Sequence, residues 1–359
     1  MREEEIAALS LRQHLPDAAI KAIVEQRGTL KGMLALPMDE LFHNFGIEPQ
    51  KANAIIKTDT REAENKLQWL EKAGGQLVLM EDELYPAILK EIYDPPACLY
   101  VLGKADCLND FCISLVGARK SSQIGEDMAK KLAGELAASG VTVVSGFAYG
   151  IDINAHLGAV KAGGSTVAVL GSGLNDIYPK SNSKHIEAIC RDGCLITEFD
   201  PNEKPYSYNF PKRNRIVAGI SRGVVVVEAA ARSGSLITAR LAHESGRDVF
   251  AVPTSPLFAN NATNTMLKDT AHIACCATDI LEHYTHLFNQ PSTTTEPAAI
   301  HFDSPEERKL YEAIAREPLS TDELVPQIGL TYAELVSLLL MMEMKSLIKK
   351  GVDGRFSVD

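Results

Sequence analysis

Basic and aromatic residues concentrate in one stretch of this 359-residue chain. In YSYNFPKRNRI (206–216), Tyr206, Tyr208 and Phe210 lead into Lys212, Arg213 and Arg215, with Pro211 between them. If Pro211 opens a helix, these cations crowd its positive end, where a helix prefers acids by roughly 0.3–1 kcal/mol per group. Such a placement calls for an anion, either a bound phosphate or a protein carboxylate such as Glu198 or Asp200. Further cations stand in Gly/Ser-rich segments: Arg119 in GARKSSQIG (117–125), Lys180 in GSGLNDIYPKSN (171–182) and Arg232 in AAARSGS (229–235). Glycine lets the backbone approach a ligand, and helix N-termini offer free N–H groups to anions. Cations interleaved with aromatics, Tyr178 included, suit a nucleic-acid strand with unpaired bases: rings stack the bases while Arg and Lys hold phosphates. The competing reading for each ring is ordinary core packing.

Motifs for catalysis are sparse. There is no Gly-x-Ser-x-Gly elbow and no Walker pattern, and Gly117 and Gly125 do not make GxGxxG. Ser145, not an acid, ends the strand where a dinucleotide fold places its ribose-binding carboxylate. No nicotinamide or ATP cofactor is expected. Asp152 and His156 stand i, i+4 and could hydrogen-bond, a pairing more often structural than catalytic. Glu228 closes a strand as a carboxylate without an obvious partner. The seven cysteines contain no Cys-x-x-Cys, so we expect reduced thiols and no metal site.

The elements that must position these residues read as α/β. Apolar runs at 112–116, 141–145, 166–170, 194–197, 223–228 and 248–252 alternate with amphipathic stretches at 124–140, 151–164, 182–193, 211–221 and 234–246. Continuous apolar strands alternating with helices predict a doubly wound, mostly parallel sheet. Its ligands bind beyond the strands' carboxyl ends, where the Gly/Ser-rich loops fall. Residues 1–75 predict a small helical domain with helices at 11–28, 38–47 and 49–75. Its ten Lys/Arg against twelve Asp/Glu favour packing or protein binding over DNA. Residues 76–111 read as a connector holding one strand at 97–103, so that the core domain spans 76–285. The Pro/Ser/Thr-rich segment 286–300 reads as a linker. Three helices and a hairpin from 301 to 359 form a winged-helix pattern, with Ser320 and Thr331 as N-caps at capping-box spacing from Glu323 and Glu334.

Apolar residues at 45% and charged residues at 23% are ordinary for a globular protein and exclude collagen, coiled coil or long disorder. No run reaches the roughly 18 apolar residues of a membrane span, and MREEEIAALS is no signal peptide. A cytoplasmic location is expected. The net charge of −11 excludes wrapping duplex DNA by global positive charge and requires a local basic patch.

SLVGARKSSQIG, SGFAYGIDINAH, AVLGSGLNDIYPKSN, NFPKRNRIVAGIS and VVVVEAAARSGSLITARLAHESGRDVFAVP together resemble the DNA-processing protein A (DprA/Smf) family, almost without gaps from 113 to 253. The flanks fit too, since many members carry a sterile-alpha-motif-like domain before the Rossmann-like core and a winged helix after it. The resemblance implies a non-enzymatic, usually dimeric binder of single-stranded DNA. It would shield the strand during natural transformation and load the RecA recombinase. Carried over residue by residue, it implicates Arg119 of VGAR, Ser145 and Gly146 of SGFAYG, Lys180 of YPKSN, and Phe210, Arg213, Asn214 and Arg215 of FPKRNR. The sequence departs from the family where Thr254 follows Pro253 and where NNATNTMLKDTA (260–271) lacks the usual glycines. Asn264, Leu267 and Ala271 keep their places there.

The segment 249–275 is the expected homodimer interface, with Met266, Leu267 and Ile273 as its apolar groups. A different class of function remains: Rossmann-like nucleotide-processing hydrolases, with a Gly-rich loop and a strand-end Glu such as Glu228. A duplex-reading winged helix fits poorly, because residues 301–359 hold seven Lys/Arg against eleven Asp/Glu. Its third helix is largely apolar, with Leu335, Leu338, Leu339, Met342 and Leu347 expected in its own core. Lys345, Lys349 and Lys350 stand beside the expected wing.

Overall fold

A computed structural model describes residues 2–285, 304–316, 319–344, 347–350 and 355–357. The expected linker 286–300 lies outside the described residues, as does Lys345. Residues 1–288 and 289–359 form two compact units, described separately below.

The first unit opens with helices α1 (Arg2–Leu11), α2 (Asp17–Arg27), α3 (Met38–Phe45), α4 (Pro49–Ile56) and α5 (Arg61–Lys72). Two expected helices are broken by local chemistry. Pro16 sits at the N-cap of α2 and ends any continuation from α1. The 49–75 stretch divides at Asp59, whose carboxylate accepts the Arg61 N–H at 3.0 Å and competes with the helical bond. Gly28 closes α2 at φ +75°, as its sequence position predicts.

A nine-stranded sheet follows: β1 (Gly75–Leu79), β2 (Cys98–Gly103), β3 (Cys112–Gly117), β4 (Thr142–Ser145), β5 (Thr166–Val169), β6 (Cys194–Thr197), β7 (Gly223–Glu228), β8 (Asp248–Ala251) and β9 (His272–Ile273). Its order is β1-β2-β6-β5-β4-β3-β7-β8-β9. From β6 to β9 every pairing is parallel, while β1 and β2 add an antiparallel edge. The connector therefore holds two strands, not one. Gly75–Leu79 becomes a strand only through its non-local pairing with β2. Helices α6 (Gln123–Ala138), α7 (Ile151–Lys161), α8 (Ile186–Asp192), α9 (Asn209–Gly219) and α10 (Gly234–Glu244) connect the strands. All six residues of β7 are buried, as helices on both faces require. Ser122 caps α6, its Oγ accepting from Gly125 N at 3.1 Å, and Ser233 caps α10. The helices α11 (Ala262–Asp269) and α12 (Ala277–Leu281) flank β9.

The N-terminal helices are packed onto the sheet. Leu11, Ile20, Leu41 and Leu67 share one buried cluster with Leu79, Tyr100, Phe147 and Leu195. Arg12 crosses the seam, bonding Asp17 at 3.0 Å and the Glu198 carbonyl at 2.9 Å, and Lys66 meets Asp200 at 3.0 Å.

The second unit holds helices 305–316, 321–328 and 332–344 with a three-stranded sheet, the winged-helix order expected from sequence. Ser320 and Glu323 form the capping box, and Thr331 and Glu334 repeat its bonds. Leu335, Leu339 and Met342 are buried, while Leu338 and Leu347 lie partly buried against them.

Candidate functional site

Strand β3 has β4 on one side and β7 on the other, so the winding reverses beside it. At such a switch point the loops after adjacent strands diverge and leave a crevice beyond their carboxyl ends. Here it is a cavity of about 460 Å³, lined by Gly117, Arg119, Gly146, Asp152, Asn214 and Ser233 among others. The loops after β3, β4 and β7 reach it, through residues 117–120, through Gly146 and Ala148, and through Ala230, Ser233 and Gly234. The fourth loop, after β5, contributes Tyr178 and Pro179 to an adjoining cleft with Arg119 and Phe210.

In that cleft the exposed Arg119 holds its guanidinium 5.0 Å from the centre of the Phe210 ring. Phe210 meets Tyr178 edge-on at 5.8 Å, and Tyr178 meets Tyr149 at 6.4 Å. A cation over a ring face is favourable by about 0.5–1 kcal/mol at an exposed site. Gly171 makes the cluster possible, since a Cβ there would stand 2.8 Å from the Phe210 ring. Tyr206 and Tyr208 instead stack on each other, with centres 5.3 Å apart and planes at 9°. Lys180 is exposed and opens a short 3-10 turn, Lys180–His185.

The loop after β4 is held in a rare backbone conformation. Phe147 has φ +59°, unusual for a bulky residue, and its ring is fully buried. The Asn182 side chain donates to the Phe147 carbonyl at 3.0 Å and the Ala148 carbonyl at 3.4 Å, pinning the turn. Such strain persists where surrounding contacts over-determine it. Nothing in the spacing of YPKSN announces this role of Asn182. Ser145 is buried and donates to the Leu115 carbonyl at 2.6 Å, so its hydroxyl holds the strand and not a ligand. Gly146 does line the cavity.

The FPKRNR cations are placed differently from the sequence expectation. Helix α9 begins at Asn209, two residues before Pro211. Arg215 bonds Glu198 at 2.8 Å and Asp94 at 3.2 Å, and Lys212 lies 3.2 Å from Glu198. With the helix starting at Asn209, Arg215 falls past its first turn, and the fully buried Glu198 pairs both Lys212 and Arg215 where a phosphate was the other candidate. Arg213 is only 3% exposed and donates to the carbonyls of Gly146 and Val169. Burial lowers its pKa to about 10, partly countered by Asp152. A Cβ on Gly146 would collide with both Arg213 and Asp152, so only glycine leaves room for this pair. Arg213 is therefore a positioning residue within the cavity lining. Asn214 is partly exposed and donates to the Gly234 carbonyl at 3.4 Å, tying α9 to α10.

Glu228 is partnered by the loop after β3. Its carboxylate accepts from Ser122 N at 3.1 Å, from Ser122 Oγ at 2.7 Å and from Asn260 Nδ2. Asp152 and His156 do not pair. Asp152 faces Arg213, and His156 Nδ1 contacts Thr166 Oγ1 at 2.7 Å. Burial pushes the His156 pKa down to about 3, and Arg213 adds repulsion.

A depressed folded-state pKa means that the unfolded chain binds the proton first as pH falls. His156 therefore contributes stability that is present above pH 6.5 and lost down to about pH 3. At about 1.4 kcal/mol per pKa unit, the loss is on the order of 5 kcal/mol. Asp152 acts in the opposite sense, because burial raises its pKa. Melting temperatures across this range should fall steeply for the parent and more gently for His156→Gln. Parallel curves would assign the acid sensitivity to other groups.

At the far sheet edge, Met266 is half-buried against the core, Leu267 is half-buried, and Ile273 is 55% exposed. Of the residues expected to make a homodimer, Ile273 alone is exposed.

Comparison with known proteins accords with this architecture. The family model "DNA recombination-mediator protein A" matches residues 76–285, and "DprA winged helix domain" matches 291–354. Protein Smf of Escherichia coli is 42% identical over 209 residues, 58% of this chain and 56% of that protein. The chain thus matches little more than half the length of this relative. DNA processing protein DprA of Streptococcus pneumoniae is 41% identical over 204 residues, 56% of this chain and 72% of the relative. The X-ray structure of the Streptococcus pneumoniae protein superposes with a TM-score of 0.68 at 33% identity, covering 76% of this chain and 95% of that one. A Helicobacter pylori DNA processing protein A, described with its single-stranded DNA binding mode, gives 0.54 at 29% identity, covering 60% and 98%. Motif order, sheet topology and both domain matches agree, and the chain belongs to the DNA recombination-mediator protein A (DprA/Smf) family.

Proposed function

We propose that the chain binds single-stranded DNA without catalysing a reaction on it. In natural transformation it would shield the incoming strand and load the RecA recombinase as a homodimer in the cytoplasm. The observation that carries the reading is the cleft where Arg119 lies 5.0 Å over Phe210 with Tyr178 edge-on beside it. A partly exposed ring bearing an exposed guanidinium offers stacking and phosphate contact together, which unpaired bases can use and a stacked duplex cannot. The single-stranded DNA binding described for the Helicobacter pylori relative supports the same reading. Fluorescence anisotropy with single-stranded and duplex oligonucleotides of equal length tests it. The single strand should bind tighter, and equal or stronger duplex binding would overturn the proposal.

The nucleotide-hydrolase alternative loses support at Glu228, whose carboxylate is engaged by Ser122 and Asn260. No helix among the described residues is long and apolar enough to cross a membrane. The acidic balance of residues 301–359 favours a protein partner for the winged helix over DNA.

For the homodimer, exposure directs the test to Ile273 rather than Leu267. On the proposed reading, Ile273→Arg should convert dimers to monomers in light scattering with the melting temperature retained. A folded Ile273→Arg protein that stays dimeric would move the interface elsewhere.

A further inference from the structure

On the same sheet edge, three side chains from three elements converge without any part in the DNA cleft. Asp248 opens β8, His272 opens β9, and His283 lies in the turn Glu282–Tyr284 that follows α12. One donor atom from each lies within 4.8 Å of the other two. His283 Nε2 stands 3.2 Å from Asp248 Oδ1. Donors held about 2.1 Å from a zinc ion at tetrahedral corners stand roughly 3.4 Å apart, so this pair already has ligand spacing. The two imidazole rings lie with centres 4.4 Å apart and planes tilted by 46°. The fully buried Phe250 supports both from below, its ring centre 5.5 Å from one and 5.6 Å from the other.

We propose that Asp248, His272 and His283 bind a divalent transition-metal ion, zinc first, at the outer edge of the sheet. Two imidazoles and one carboxylate favour zinc over magnesium or calcium, which prefer all-oxygen sites. Both histidines are exposed, which leaves the remaining coordination positions to water. The ion would fasten β9, an edge strand of two residues, to β8 and to the turn behind it. That places it next to Ile273, at the end of the same short strand. The cysteine-based expectation of no metal site overlooked these residues because 24 positions separate Asp248 from His272 in sequence.

The test is titration of the metal-free full chain with cobalt(II), read by visible absorption, followed by competition with zinc. One saturable equivalent is expected. His272→Ala and His283→Ala should each weaken affinity at least tenfold, and Asp248→Asn should weaken it less. Cys275→Ser, which alters an exposed thiol two residues past Ile273, should leave binding unchanged. Circular dichroism of the metal-free variants checks folding, with His272→Gln and His283→Gln as substitutes for an alanine variant that fails. Absence of saturable binding by the parent overturns the proposal. So does binding unaffected by the histidine changes or removed by Cys275→Ser, and the Asp248–His283 contact would then be an ion pair only.

Discussion

Arg213→Ala should lower the chain's melting temperature by roughly 10 °C, the largest effect expected of any single change near the cavity. The guanidinium is nearly buried in the cavity lining, donates to two backbone carbonyls and faces the buried Asp152. Removing it leaves a carboxylate and two carbonyls in the interior without their partner. Breaking a buried pair from one side costs about 3–5 kcal/mol, and each kcal/mol moves the midpoint by roughly 2–4 °C in a domain of this size. Arg213→Ala combined with Asp152→Asn should recover part of the loss, the mark of two coupled residues. The salt dependence of DNA binding, measured well below the transition, should stay near the parent's. A thermal melt within about 1 °C of the parent would remove Arg213 from this role.

Phe210→Ala and Arg119→Glu should each weaken single-stranded DNA binding by one to two orders of magnitude, with different signatures. Loss of a stacking ring costs about 1–3 kcal/mol per base and leaves the number of phosphate contacts unchanged. The slope of log affinity against log salt should therefore hold for Phe210→Ala. Arg119→Glu removes a cation, and the slope should become shallower by about 0.7, the value per phosphate contact on a single strand. Both positions are solvent-accessible enough for folding to survive, which a melt verifies. Unchanged affinity in both variants would place the DNA elsewhere on the chain. A slope that shifts for Phe210→Ala instead would mean that the ring acts by holding Arg119 in place.

What the sequence conveyed well was whatever depends on neighbours along the chain. GVVVVE and CLIT are strands because continuous branched apolar runs suit a sheet covered on both faces, and the structure places them at 223–228 and 194–197. Ser320 with Glu323 marks a helix start for reasons contained in four residues. The cavity's location was legible too, because the loops after β3, β4 and β7 could be read from strand ends. The fate of individual cations was not. FPKRNR is a local string of charge, but Glu198 and Asp94, which claim Arg215, are 17 and 121 residues away. Burial of Arg213 depends on the bare backbone at Gly146, and no charge count reports that. Tyr149 and Asn182 were passed over because a ring in a loop and an amide after a lysine have no diagnostic period. Gly75–Leu79 escaped notice for the same reason, since its strand character comes from β2.

The packing of the N-terminal helices onto the sheet bears on where such a protein can be cut and rejoined. Leu11, Ile20 and Leu67 lie in the same apolar cluster as Tyr100 and Leu195, and Arg12 spans the boundary to reach the Glu198 carbonyl. Glu198 in turn holds Lys212 and Arg215 on the helix that presents Phe210 to the cleft. Exchanging this helical segment for that of a relative would insert mismatched side chains into a shared interior and disturb the support of α9. A swap made at residue 75 is therefore expected to cost stability on both sides of the join, because the helices and the sheet share one interior.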